Sequence, residues 1–522
     1  MSKLRLAILA GLTSLSLTVA ATPVIADKGD APVATEERQI KPVVTPRLDW
    51  QTCGEAECAK VHVPLDYAKP KGKKIYIAVK KIPATGTSGK TGTLFVNPGG
   101  PGASGKDWVS DRLDLFPTEV RKNFDIVGFD PRGTNASTRL KCFNSSKKKA
   151  SVYERLTNGF PVSSDEEKDY IGAAGELSKA CADEPLAQHM STTDVALDMD
   201  MLRRAVGDTK LTYLGFSYGT YLGQVYAAVF PNKVRAMVLD GVIDAEAWRG
   251  NRRNAIFPMP MRMGNAQGAS EALTELLDRC SDAGESCPLE DPDNDLENVM
   301  EYLRKHPLKI TEDGETYEAT YSNVVDEILY SLYSPDAEAA IDVIAGTKQL
   351  IDESVNAQVQ RDSSQGEESP FSKPKKQEIN DLELNAAVVC SDSHHPDSGS
   401  RWTQLANRAD KEAPYFGRQA LWSSIACAEW TANDDDAFAG SFSVDSPALI
   451  VGARWDPATS YAAAKRVNNR LPHSTLLTSN NWGHTSYGVS QCADDAINDY
   501  LITGEQPAAD ITCSDGVQPY TD

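Results

Sequence analysis

Short apolar runs recur along the chain at Ile75–Ile82, Thr93–Asn97, Phe124–Asp130, Leu211–Phe216, Val234–Asp240, Ala387–Cys390, Ala448–Gly452 and Ser474–Thr478. Several are rich in β-branched residues and apolar almost throughout, as strands covered on both faces should be. Between them lie segments with helical spacing. In Thr192–Val206, the residues Val195, Met199, Leu202 and Val206 fall on one stripe, and acids crowd the first turn. Strands alternating with helices predict βαβ units and a mostly parallel sheet.

The alternation stops after Asp244. Residues 245–357 read as several helices without a strand of comparable strength, and 358–380 is Ser-, Glu- and Lys-rich with two prolines, the composition of a flexible loop. Alternation resumes near 385. The expected organisation is one α/β core, 48–244 plus 386–522, interrupted by a helical cap insertion at 245–385. Ahead of it, 27–47 is a polar, Pro-containing leader. Residues 1–26 have the layout of a secretory signal: basic Lys3 and Arg5, an apolar run Leu6–Ala21, then Val24-Ile25-Ala26 at the cleavage positions. After its removal no apolar run is long enough to span a bilayer. The expectation is an exported protein, extracellular or associated with the cell wall.

Charge and cysteine content narrow the class. A formal net charge of -21 over 522 residues gives no basic footprint for nucleic acid or for an anionic membrane surface, and favours a soluble monomer. All 10 cysteines follow the signal segment. In an oxidising compartment an even count predicts disulfides, and the simplest pairing joins sequence neighbours. No CxxC pair seeds a zinc site.

The strongest chemical signal is Gly215-Phe216-Ser217-Tyr218-Gly219, set between the strand Leu211–Phe216 and a helix over Tyr218–Phe230. This is the setting of a nucleophile elbow, a tight strand-to-helix turn that exposes a serine over a helix N-terminus. A serine nucleophile needs a base, and the base needs an orienting acid, in the chain order Ser, acid, His. Five histidines follow Ser217: His306, His394, His395, His473 and His484. His484, in Trp482-Gly483-His484, comes just after the last strand. His473 precedes that strand and falls at the opposite edge, and His394 and His395 read as part of a solvated loop. For the acid, Asp456 lies just beyond Ala448–Gly452 and can accept the second imidazole N–H. Asp240, at the end of Val234–Leu239, competes for the role. Thr459, one turn past Asp456, is a candidate supporting hydroxyl. Asn97-Pro98-Gly99-Gly100-Pro101-Gly102 follows Thr93–Asn97, and its glycines let backbone N–H groups approach a developing oxyanion. The Gly100 N–H would join that of Tyr218. Asp130 and Arg132 read as structural.

The motifs NPGGPGASG, GFDPRG, GFSYGTYLG, VRAMVLDGV, WDPAT and WGH, in this order, resemble the secreted tripeptidyl aminopeptidase-like α/β-hydrolases of actinobacteria, relatives of the prolyl aminopeptidases. The resemblance spans about 50–520. It implies an α/β-hydrolase fold with a helical cap, a triad of Ser217, Asp456 and His484, and an oxyanion hole from Gly100 and Tyr218. It implies release of short peptides, often tripeptides, from substrates with free N-termini, with no metal or organic cofactor. Carboxylesterases of similar sequence make an ester-cleaving enzyme the alternative, and an inactive binding protein on the same fold is a third reading. A free α-ammonium requires a carboxylate near Ser217, and Asp392 is the candidate.

Overall fold

The computed structural model describes residues 43–86, 89–312, 315–357, 382–432 and 436–521. The expected signal segment 1–26, the leader up to 42 and the polar segment 358–380 lie outside the described residues.

Twelve strands are formed among the described residues: β1 (Gln51–Cys53), β2 (Ala56–Pro64), β3 (Lys74–Ile82), β4 (Gly92–Asn97), β5 (Phe124–Asp130), β6 (Leu211–Phe216), β7 (Val234–Asp240), β8 (Leu308–Glu312), β9 (Glu315–Ala319), β10 (Ala448–Trp455), β11 (Ser474–Trp482) and β12 (Ile511–Cys513). Ten of them build one sheet in the order β1-β2-β3-β5-β4-β6-β7-β10-β11-β12. The first three strands pair antiparallel, and β3 pairs antiparallel with β5. From β5 onward every pairing is parallel.

Successive residues of the central strands enter two different cores, as the two-residue period requires. Leu94, Val96, Leu214, Phe216, Val238 and Val451 face one layer. There they meet Val109 of helix Gly105–Asp111, Val120 of Thr118–Asn123 and Ile497 of Gln491–Thr503. Phe95, Tyr213, Met237, Leu239 and Ile450 face the other, with Val195 and Leu202 of helix Thr192–Ala205 and Leu222 of Tyr218–Val229.

Two expectations are corrected. Ala387–Cys390 is not a strand but part of helix Leu382–Asp392. Leu384, Ala386, Ala387, Val388 and Val389 are all buried there. A short helix buried all round carries no polar stripe, so its sequence resembles a buried strand. The next strand of the sheet after β7 is β10, and helices Ser400–Glu412 and Phe416–Trp422 precede it. The stretch 245–357, read as helical, also contains the hairpin β8–β9.

Five disulfides join Cys53–Cys58, Cys142–Cys181, Cys280–Cys287, Cys390–Cys427 and Cys492–Cys513, the sequence-neighbour pairing throughout.

Candidate active site

The candidate residues come from loops at the carboxyl ends of adjacent parallel strands. Phe216 of β6 is in register with Asp240 of β7, and Asp240 with Val451 of β10. Asn97 of β4 pairs with Gly215 of β6. The chain therefore leaves the sheet at one edge before the glycine-rich loop, Ser217, Gly241, Asp456 and His484. In open parallel sheets this edge is where ligands bind.

Ser217 holds φ 53° and ψ -124° at the turn from β6 into helix Tyr218–Val229. A positive φ is costly for a residue with a Cβ. The turn is held by Ser217 N–H donating to the Asp240 carbonyl (3.0 Å) and by the Thr220 N–H and hydroxyl donating to the Ser217 carbonyl (2.8 and 2.6 Å). Tyr218, as the first helical residue, has a main-chain N–H with no intrahelical acceptor.

The glycine-rich loop lies on this turn. Gly99 has φ 98°, and a Cβ there would come within 2.6 Å of the Phe216 carbonyl, 2.9 Å of Ser217 Cβ and 3.1 Å of Tyr218 N. Only a residue without a side chain can bring its backbone so close. Gly100 follows directly, with the Ala103 N–H returning to the Gly99 carbonyl at 3.3 Å.

His484, partly buried, meets the buried carboxylate of Asp456. Imidazole Nδ1 lies 3.0 Å and 2.9 Å from the two Asp456 carboxylate oxygens. The Ala458 and Thr459 N–H groups also donate to Asp456 Oδ1, each at 2.8 Å, and the Thr459 hydroxyl donates to Oδ2 at 2.8 Å. With Nδ1 engaged, Nε2 is buried without a hydrogen-bond partner among the described residues. Cε1 between the two nitrogens faces Gly241, where a Cβ would come within 3.0 Å of it. Burial works against a charged imidazole here, but the Asp456 carboxylate, aided by Asp240, prevails and raises the His484 pKa above its ordinary value.

Asp240, the competing acid, does not touch the ring. Its carboxylate accepts the Ser486 N–H (3.1 and 3.0 Å) and the Tyr487 N–H (2.9 Å), which anchors the chain just beyond the histidine. Burial outweighs those bonds and pushes its pKa up to about 6.

Asp392 is enclosed. It is 4% exposed, and its oxygens accept the Thr192 N–H at 2.8 Å and the Thr192 hydroxyl at 2.6 Å. The same hydroxyl lies 2.5 Å from the Tyr218 phenol oxygen. The carboxylate expected to face a substrate ammonium thus bonds Thr192, which in turn meets the side chain of the residue after Ser217. His395, expected in a solvated loop, lies flat against Trp402 with an interplanar angle of 16°. Arg132 is fully buried and donates to both oxygens of Asp198 at 2.8 Å and to the carbonyls of Pro64, Leu65 and His189, a structural post as expected.

The chain matches the family described as "alpha/beta hydrolase fold" over residues 92–379 and that described as "TAP-like protein" over 413–513. It is 30% identical to a tripeptidyl aminopeptidase of Streptomyces lividans, an alignment that covers 90% of this chain and 87% of that protein. The chain belongs to the tripeptidyl aminopeptidase-like α/β-hydrolases. As a member of this family it is a serine hydrolase. The serine protease Hip1 of Mycobacterium tuberculosis is 29% identical, covering 92% of this chain and 94% of that protein. A protein of the same organism named carboxylesterase B is 30% identical, with 91% of each chain covered. Tripeptidyl aminopeptidase-like sequence is therefore shared with proteins named for peptide and for ester cleavage.

The sequence reasoning missed two parts of the site. Gly99, rather than Gly100, contacts the elbow, and it is one of three glycines among the six residues from Pro98 to Ala103, so the sequence does not single it out. Tyr333 is the other. Its carbonyl accepts the His484 N–H at 3.0 Å. No motif surrounds it, so only the fold brings it to the histidine.

Proposed function

We propose that the protein is a secreted serine exopeptidase that releases short peptides, principally tripeptides, from free N-termini. Ser217 is the nucleophile, His484 the general base and acid, Asp456 the residue that orients the imidazole, and the Gly100 and Tyr218 N–H groups the oxyanion donors. The observation that carries this reading is the His484–Asp456 contact at 2.9 Å, with Nε2 left unpartnered and Ser217 held at a strained turn on the same edge of the sheet. Thr459 supports it by donating its hydroxyl to the same carboxylate oxygen, Oδ2, that the imidazole meets.

The steps follow from these positions. Nε2 takes the Ser217 hydroxyl proton as Oγ attacks the scissile carbonyl. The negative charge that grows on the carbonyl oxygen is met by main-chain N–H dipoles at a helix N-terminus, fixed before the reaction begins. His484 then gives its proton to the departing amine. Water repeats the sequence on the acyl-enzyme. The raised His484 pKa suits a base that must hold a proton briefly next to a carboxylate.

Two features support export. Five disulfides tie the described residues, and no helix among them is long and apolar enough to cross a membrane. The helices between β7 and β10 we read as a cap over the serine, since Tyr333 and Gly268 reach the His484 and Asp456 loops.

A second reading, a carboxylesterase with the same machinery, is favoured by the relative of that name. Matched tripeptide anilides with free and acetylated N-termini, assayed beside Ser217→Ala, separate the two. Cleavage of the free form alone, abolished in the variant, supports the exopeptidase. Hydrolysis of short-chain esters with neither anilide cut replaces it with the esterase.

A further inference from the structure

The cap touches the histidine through one turn. Helix Tyr321–Leu332 ends at Tyr333, whose carbonyl accepts the His484 N–H. The Tyr333 ring stands edge-on to the imidazole, with centroids 5.2 Å apart and planes at 67°. Beside it, a Cβ on Gly483 would come within 2.8 Å of the Ser334 and Pro335 backbone, so the turn is docked directly on the histidine loop. Despite this docking, Tyr333 is 41% exposed, and Tyr330, one helical turn earlier, is 65% exposed. Residues three apart on a helix are surface neighbours. Two large aromatic side chains are therefore presented to solvent from the end of this helix, Tyr333 at the edge of the imidazole and Tyr330 one turn behind it.

The chemistry says what passes there. When an amide is opened by a serine and a histidine, the imidazole returns its proton to the departing nitrogen. Whatever is bonded to that nitrogen leaves along the imidazole, and Tyr333 is the cap side chain packed against that ring. Aromatic faces reward apolar and aromatic side chains in particular. We propose that Tyr330 and Tyr333 form the subsite for the leaving side of the substrate and select a bulky apolar or aromatic residue immediately after the scissile bond. The inference rests on the serine-hydrolase roles given above to Ser217, His484 and Asp456.

Acyl transfer tests it. A tripeptide methyl ester acylates Ser217 and releases methanol. An added amino-acid amide then competes with water for the acyl-enzyme: its nitrogen forms the new amide bond, its proton passes to His484, and Ser217 regains a proton. The yield of amide over free acid reports how well the added residue occupies the leaving-side subsite. With phenylalanine amide and glycine amide as the two nucleophiles, the wild-type protein is expected to prefer the former by roughly three- to tenfold. Tyr333→Ala and Tyr330→Ala should each bring the ratio toward about one, and Tyr333→Phe should keep it. A wild-type ratio near one, or a ratio unchanged in both alanine variants, overturns the proposal. Methanol release, together with fluorophosphonate labelling of Ser217, reports the triad separately. Absence of both methanol release and fluorophosphonate labelling condemns the serine-hydrolase roles, whereas methanol release without preference condemns the subsite alone.

Discussion

Asp240 and Asp456 hold one histidine loop by different handles. Asp456 takes the imidazole of His484, and Asp240 takes the main chain at Ser486 and Tyr487. Exchanging each for asparagine should separate the roles. Asp456→Asn removes the charge that fixes the tautomer, and kcat is expected to fall about 10,000-fold with the fold intact. Asp240→Asn keeps an oxygen acceptor for the main chain, and kcat should fall less than about tenfold. Equal losses in the two variants would reverse the assignment of the acid.

The pH profile carries a second expectation. His484 must be neutral to accept the serine proton, and its neighbours hold its pKa above the ordinary histidine value of 6.5. Activity should therefore rise with pH, and the acid limb of kcat/KM should have its midpoint above 6.5. Asp240 contributes to that shift by its charge, so Asp240→Asn should move the midpoint to lower pH. A limb that stays in place in the variant would show that Asp240 does not act on the imidazole.

Gly99 makes a steric prediction. An alanine there would meet the Phe216 carbonyl at 2.6 Å at a φ of 98°, so the loop must retreat from Ser217. Loss of the aligned donors should lower kcat by at least about 100-fold. Calorimetry beside kinetics checks whether the loss exceeds that of general destabilisation, since fluorophosphonate labelling should slow in parallel.

Asp392 separates a support from a ligand. If it steadies the elbow through Thr192 and Tyr218, Asp392→Asn should lower kcat for free and acetylated substrates, or for esters, by the same factor, and Thr192→Val should do likewise. An effect confined to KM of substrates with a free ammonium would restore the ammonium role. Matched substrate pairs decide between them.

Arg132 is a matter of stability. Its guanidinium lies between Asp198 and Asp194, with all three side chains fully buried. Arg132→Leu would leave buried carboxylates without their cation, at a cost of about 3–5 kcal/mol. Denaturant unfolding should show it as a lower midpoint.

Much of this was legible because the chemistry is local. The serine turn sits within five residues flanked by a strand and a helix, and both patterns have unambiguous periods. The Asp456 and His484 loops likewise follow apolar strands. What escaped has physical reasons. The strand β2 alternates buried and exposed positions with Lys60 and His62 among them, so it does not read as an apolar run. Helix Leu382–Asp392 carries no separate polar face, and its apolar middle, Ala386–Val389, imitates a strand. Choosing between Asp240 and Asp456 required knowing which loop turns toward the ring, and both end adjacent parallel strands. Tyr333 and His484 are brought together only by tertiary packing, which leaves no trace in local sequence.

The sheet places β7 directly beside β10, although more than two hundred residues separate Asp240 from Ala448 in the chain. Loop closure over such a distance carries an entropic cost before any pairing rewards it. A chain growing from its N-terminus can form β4, β5, β6 and β7 and present Ser217 early, but neither Asp456 nor His484 has yet been made. On the roles proposed above, the molecule is therefore made first without its acid and base, and gains them only when its last fifth joins the sheet. A copy cut short before β10 would keep Ser217 but lack the groups proposed to activate it.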